Sequence, residues 1–253
     1  MLPISCFIIA ENEERCIGEV INSAKAICNE IIVVDSGSTD TTCKIANSLG
    51  AITLFREWSG YGAQKRYAEE QCSNNWLLNL DADEVLSQEL QDEIKQLFIN
   101  GEPEHSLYKI KVTTVYPGER KPRWLAEHND VIRLYDKTVA RFPKHPTWDA
   151  ITAPRGFNVG LLKSPCFHFS SPGLDHYVSK FNRYTTLQAE KTPIKNPHYL
   201  LIKILLGFPI DFLKAYLIKR HFTGGIYGFI FALTHAYSRF LKVAKMIEQS
   251  KIK

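Results

Sequence analysis

Three acidic side chains, Asp81, Asp83 and Glu84, close the segment WLLNLDADEV (76–85). The residues before them are mostly apolar, so the charge gathers where a buried strand would end. Two carboxylates in D-x-D spacing can meet one hard divalent cation through oxygen, and Mg²⁺ or Mn²⁺ held this way typically bridges to a substrate's phosphates. The other reading is an exposed acidic loop whose carboxylates cap a following helix. A further carboxylate, Asp35, ends another apolar run, EIIVVD (30–35). In an open parallel sheet, ligands bind beyond the carboxyl ends of the strands, at the point where the topology switches. Both groups occupy such ends.

The elements that must position them are legible in the hydrophobic pattern. PISCFIIA (3–10) reads as an apolar strand, and Ile17, Val20, Ile21, Ala24 and Ile27 then recur at helical spacing after the polar start ENEE. EIIVVD is a second strand, SGSTD a turn, and Asp40 an expected N-cap for a helix through about Leu49. AITLF (51–55), GYGAQKRYAEEQC (60–72) and WLLNL (76–80) follow as strand, helix and strand. This alternation predicts an α/β fold whose parallel sheet is covered on both faces. Leu90, Ile94, Leu97 and Phe98 mark another amphipathic helix, and KIKVTTV (109–115) alternates as a half-exposed strand does. From Tyr116 to Pro172, prolines, aromatics and short strand candidates such as VIRLYD (131–136) fit mixed strands and loops over a site. From Leu174 onward the pattern is helical.

Composition narrows the class. With 253 residues and 45% hydrophobic content the chain can bury a full core. Its six cysteines contain no C-x-x-C pair, which points away from zinc and from a disulfide framework. The start MLPISCFIIA lacks a basic region and a cleavage site, which suggests a cytoplasmic protein. The net charge of +4 is uneven: residues 199–253 hold nine Lys or Arg against two acids, leaving 22 against 25 in residues 1–198. An excess of seven positive charges in the tail suggests an anionic partner. Lys203, Pro209, Asp211, Lys214 and Arg239 interrupt every apolar stretch there, so a membrane span is not expected.

FIIAENEE (7–14), IIVVDSGSTDTT (31–42) and NLDADE (79–84), in this order and on these strands, resemble the nucleotide-sugar half of family 2 glycosyltransferases of GT-A fold. FREWSGYGAQKRYA (55–68), with the DADE that follows, is similar to the lipopolysaccharide-core β-1,4-glucosyltransferase branch. The likeness covers nearly the whole chain and is strongest over residues 3–98. It implies a Rossmann-like, mostly parallel sheet flanked by helices, with a nucleotide-sugar-binding and catalytic domain at 1–172 and a helical, basic, amphipathic and membrane-proximal extension at 173–253.

The resemblance also implies roles, residue by residue. Asp35 would accept a hydrogen bond from the base of a uridine diphosphate sugar, with Ala10, Glu11 and Glu13 lining base and ribose. Asp81 would face the ribose or the metal, and Asp83 would coordinate Mg²⁺ or Mn²⁺. Lys65 and Arg66 would attract the diphosphate, although the family commonly has Asn where Arg66 stands. Inverting transfer needs a base for the acceptor hydroxyl. The family places a His-Glu pair downstream of an R-x-F/Y segment, and here Trp148-Asp149 occupies that place, which makes Asp149 the candidate and His145 or Asp130 the alternatives. His168, in PCFHFSSPG (165–173), matches a family His that ligates metal or contacts diphosphate. For Lys65 and Arg66 the competing reading is a solvated helix face; for Asp35 and Asp149 it is a turn residue; for His168 it is a structural histidine. Trp58, Tyr61, Trp124 and Trp148 can stack on sugars, but large aromatics usually serve the core, and none is assigned a role.

The helices after residue 198 combine apolar residues with Lys203, Lys214, Lys219 and Arg220, the composition of helices that lie in an anionic bilayer interface; an ordinary packed helical subdomain is the alternative. HFTGGIYG (221–228) stands where relatives tend to carry Asp-Gly. The expected activity is metal-dependent transfer of a hexose, glucose from UDP-glucose, to a lipid-linked oligosaccharide of the lipopolysaccharide inner core, at the inner face of the cell membrane. The same chemistry on capsule, exopolysaccharide or another lipid-linked glycan is the near alternative, and a non-catalytic nucleotide-sugar-binding scaffold the distant one. Nucleic-acid binding is not expected, because the tail is too apolar and the remainder too acidic.

Overall fold

A computed structural model describes residues 1–145, 149–170, 173–193 and 196–252. Trp148, and Pro172 at the expected domain boundary, lie outside the described residues. The chain forms two compact units, one of residues 1–113 and 128–169, the other of residues 114–127 and 170–253.

The first unit alternates strand and helix as the hydrophobic pattern predicts: β1 (Leu2–Ala10), α1 (Ile17–Lys25), β2 (Cys28–Asp35), α2 (Thr42–Ser48), β3 (Ile52–Phe55), α3 (Tyr61–Gln71) and β4 (Trp76–Asp81). It continues with β5 (Glu84–Leu86), α4 (Gln88–Leu97), β6 (Leu107–Thr114), β7 (His128–Asp136) and β8 (Gly160–His168). All eight strands join one sheet in the order β3-β2-β1-β4-β7-β6-β8-β5. Strands β3, β2, β1 and β4 are mutually parallel, and β7 then pairs antiparallel with both β4 and β6. The VIRLYD segment is therefore not a covering strand but part of β7 in the central sheet, directly beside β4.

Alternation along the strands supplies two cores. On one face Cys6 and Ile8 meet α1 (Ile17, Val20, Ile21) and α4 (Leu90, Ile94). On the other, Phe7, Val34 and Leu77 pack with Ala68 of α3, with its C-cap Cys72 and with Phe142. Each such aliphatic side chain contributes about 1.5–3 kcal/mol when fully buried. All six cysteines are free thiols, five of them buried. Helix α4 starts at Ser87, whose hydroxyl accepts the Leu90 N–H. Asp40 lies one residue before the Thr41 N-cap of α2 and accepts the Thr42 N–H at 2.9 Å.

The second unit is helical: α5 (Leu174–Lys191), α6 (Pro197–Leu213), a π-helical segment (Lys214–Ile218), a 3₁₀ turn (His221–Gly224) and α7 (Gly225–Ile252). Its small core joins Ala189, Leu200, Val243 and Met246. Around the 3₁₀ turn the packing admits no side chain at two glycines: a Cβ on Gly224 would lie 2.3 Å from the Tyr116 ring, and one on Gly228 would lie 1.8 Å from the His221 carbonyl oxygen. Among the described residues no helix is long and apolar enough to cross a membrane.

Candidate active site

Parallel register sets Ala10 beside Asp35 and Ile9 beside Asp81. Neighbouring strands lie about 4.8 Å apart, so Asp35 and Asp81 flank β1 at one sheet edge, roughly 10 Å from each other. Asp35 is buried and accepts hydrogen bonds from the Gly37 and Ser38 N–H groups, each at 2.9 Å, and from the Ser38 hydroxyl. Its carboxylate thus closes the turn after β2, with the Cys43 thiol as a further neighbour. The loop after β1 is clasped to the same turn. Asn12 adopts the left-handed conformation (φ 56°) that Asn tolerates better than most residues; its N–H donates to Ser38 Oγ and its Oδ1 accepts the Thr39 N–H, both at 2.8 Å. The Glu13 N–H donates to Thr42 Oγ1 at 2.8 Å, while Glu11 stays exposed.

The D-x-D region is built around two cations. Helix α3 begins at Gly60, whose φ of 103° suits glycine, and carries Lys65 inward. Lys65 is 2% exposed, and its Nζ lies 2.9 Å from Asp81 Oδ1 and 2.9 Å from Asp149 Oδ2. One ammonium group therefore joins the strand-end aspartate to the candidate base Asp149, which lies 84 residues from Lys65 in sequence. Arg133, on β7, donates to Asp81 Oδ2 at 2.7 Å, to Glu84 Oε1 at 2.6 Å and to Asn79 Oδ1. Burial acts to raise the Asp81 carboxyl, but Arg133 and Lys65 outweigh it and hold the group well below its ordinary range. Glu84 moves the other way: burial raises it and the Asp81 charge adds to this, against the pull of Arg133. Glu84 thus faces the protein as the counter-ion of Arg133.

Asp83 is held apart from these cations. Residues 84–86 pair antiparallel with β8, setting Glu84 opposite His168, and Asp83 Oδ2 comes within 3.2 Å of His168 Nε2. Burial would depress the His168 imidazole, yet the adjoining Asp83 carboxylate raises it overall. Asp83 and His168 are 18% and 28% exposed, so both are reachable from solvent. Two cis ligands of an octahedral ion at 2.0–2.1 Å stand about 3 Å apart, close to the observed separation. The pair therefore fits two ligands of Mg²⁺ or Mn²⁺, with the other positions left to phosphate oxygens and water; among the described residues no third His, Cys, Asp or Glu converges there. Charge agrees. Among the described residues the ion pairs of Asp81, Asp83, Glu84 and Asp149 run to Lys65, Arg133 and His168, which leaves two negative charges uncompensated when His168 is neutral.

The structure thus brings together Lys65, Asp81 and Asp149, with Asp83 and His168 one strand end away, and Ala10 and Asp35 along the same edge. It does not bring Arg66 to them: that guanidinium lies 3.2 Å from Glu70 and 3.6 Å from Glu69 and donates to the Phe142 carbonyl. Lys65, expected at a diphosphate, serves two carboxylates instead. Asp130 faces solvent 3.8 Å from His128, and His145 is exposed. Trp58 and Tyr61 form an exposed edge-to-face pair at 4.8 Å, and Trp124 is exposed on the second unit. Arg133 was missed by sequence reasoning, although an isolated arginine between Ile132 and Leu134 in an apolar strand is the signal of a buried charge seeking partners.

The model of the family "Glycosyl transferase family 2" matches residues 5–164. An uncharacterized glycosyltransferase of Rickettsia typhi is 40% identical, over 99% of this chain and 88% of its own length. The lipopolysaccharide core biosynthesis glycosyltransferase LpsC of Rhizobium meliloti is 31% identical, over 100% of this chain and 94% of its own. The crystal structure of S. aureus TarS 1–349 in complex with UDP-GlcNAc shares the fold, with a TM-score of 0.51 and 15% identity over 98% of this chain and 91% of that one. With acidic strand ends at the edge of a sheet that is parallel through its first four strands, and these relatives along its full length, the chain belongs to glycosyl transferase family 2.

Proposed function

We propose that the chain is a metal-dependent, inverting hexosyltransferase that moves glucose from UDP-glucose to a lipid-linked acceptor, the inner core of lipopolysaccharide. The observation that carries this reading is the Lys65 bridge, which fixes Asp149 beside Asp81 at the ligand-binding edge of the sheet. The donor follows from the resemblance of FREWSGYGAQKRYA and DADE to the glucosyltransferase branch, and the acceptor from the full-length likeness to LpsC.

Asp35, with the clasped loop of Ala10, Glu11 and Glu13, receives base and ribose. Asp149 takes the proton of the acceptor hydroxyl as that oxygen bonds to the anomeric carbon; the carbon–oxygen bond to the diphosphate breaks and its electron pair leaves with the phosphate. Lys65 fixes where Asp149 points. Asp83 and His168 would hold Mg²⁺ or Mn²⁺, which when bound supplies positive charge beside the departing diphosphate. Arg133 keeps Asp81 in place from beneath.

Asp149→Asn tests the assignment. Calorimetry should give unchanged UDP-glucose affinity with Mn²⁺ present, while glucose transfer to isolated rough lipopolysaccharide falls at least about a thousandfold, as loss of a catalytic base allows. Unchanged transfer would remove Asp149 from the mechanism. A wild-type protein that binds the donor and transfers to no lipid-linked glycan would favour the scaffold.

A further inference from the structure

In the second unit, exposure along residues 201–218 repeats every four residues, two exposed and then two half-buried or buried. One exposed row consists of Leu201, Leu205, Leu213 and Leu217, each more than half exposed. The adjacent row consists of Ile202, Leu206, Ile210 and Ile218. Lys214 and Pro209 complete the exposed positions, so one polar residue interrupts a face that in a water-facing helix would be mostly polar. Ridges spaced at i and i+4 form one continuous stripe. Leu200 and Ala215 point the opposite way, into the unit, so the stripe is not this helix's packing face.

Beside the rows, the half-buried Tyr216 sits 6.3 Å from the Phe222 ring and 6.0 Å from the Phe229 ring, and Phe222, Ile226 and Phe229 are themselves exposed. A contiguous apolar surface of this kind marks an interaction site. Charge identifies the occupant. Residues 201–229 hold Lys203, Lys214, Lys219 and Arg220 against one acid of their own, Asp211, and Lys219 is paired with Glu127 at 3.2 Å. A symmetric pairing of two copies through this face would set the Lys214 of each against the same positive surface, with no acid on the exposed face to answer it. An anionic lipid surface satisfies both halves, taking the aliphatic rows into its acyl boundary and the lysines and arginine at its headgroups.

We infer that the face formed by residues 201–229 lies flat in the interface of an anionic bilayer, entering one leaflet without crossing. This does not depend on sugar transfer, since membrane binding is read without donor or acceptor. The test is flotation of the full chain with vesicles of phosphatidylethanolamine and phosphatidylglycerol, against vesicles of phosphatidylcholine alone. Wild-type protein should float with the anionic vesicles and stay behind with the neutral ones. Leu205→Glu with Ile218→Glu, at positions 65% and 74% exposed, should weaken partitioning on the order of a hundredfold while the thermal transition in solution stays unchanged. Lys214→Gln with Arg220→Gln, which leaves every apolar group in place, should weaken binding roughly thirtyfold. Equal flotation with neutral vesicles would overturn the inference. So would a wild-type dimer in solution that becomes monomeric in the Leu205→Glu, Ile218→Glu variant and never floats.

Discussion

Replacing Asp81 by Asn takes one of two partners from an ammonium group that is 2% exposed. Breaking a fully buried ion pair from one side costs about 3–5 kcal/mol, because the remaining charge is left without a counter-ion. Two features reduce this here. Lys65 keeps Asp149 at 2.9 Å, and Asp81 is 35% exposed, so solvent already screens part of the attraction. Halving the loss for both leaves about 2 kcal/mol, which in a chain of this size lowers Tm by about 4–8 °C. Lys65→Met behaves differently. It removes the buried charge together with its desolvation penalty, keeps an apolar stem near the Phe142 ring, leaves Asp149, 40% exposed, free to hydrate, and leaves Asp81 with Arg133. Its cost should stay within about 1 kcal/mol, and the double variant should regain the part of the Asp81→Asn loss that falls on Lys65, while the part that falls on Arg133 stays. Scanning calorimetry near neutral pH without divalent ions reads all three. If Lys65→Met proves the more damaging, or the double variant equals the sum of the singles, the ammonium is not the stranded charge.

Asp83→Ala should abolish the Mn²⁺ dependence of UDP binding, followed by calorimetry with and without the ion; a dependence that survives would exclude Asp83 as its ligand. Gly228→Ala should destabilise the second unit by about 3 kcal/mol or more, since its methyl group would overlap the His221 carbonyl oxygen; an unchanged helical signal on heating would contradict this packing. Burial, reinforced by the charge of Arg123, lowers the His221 imidazole from 6.5 to about 4. The unfolded chain then binds the extra proton between those values, so this residue's contribution is complete above the ordinary value and is lost as pH falls through about 4. The slope of Tm against pH between 7 and 4 should flatten in His221→Gln, and an unaltered slope would assign acid sensitivity elsewhere.

The strand–helix alternation through β4 was legible because each element carries its own signature: a short apolar run, buried on both faces, for PISCFIIA, and a period near 3.6 for Ile17 through Ala24. The strand ends were legible for the same reason, and with them Asp35, Asp81 and Asp83. What the pattern could not give was pairing across distance. VIRLYD announces a strand, but nothing local says that it lies antiparallel beside β4, and only that neighbour turns Arg133 into the counter-ion of Asp81 and Glu84. Lys65 and Arg66 are adjacent in sequence and equal in formal charge. The 100° turn between them on α3 sends one into the carboxylates and the other to Glu69 and Glu70. The exposed rows of α6 were visible as apolar composition, but whether such residues face a core or solvent is a tertiary fact.

In the donor site proposed above, the interlocked loops at Asn12 and Ser38 have a consequence for how quickly and tightly a nucleotide would be captured. Their mutual bonds are made by main-chain groups and short side chains that have few rotamers to lose. The cradle is therefore shaped before any guest arrives, and its ordering entropy is settled during folding rather than charged against association. Loosening that latch, as Asn12→Gly would, should be felt chiefly as faster escape of the guest, with the encounter rate little altered.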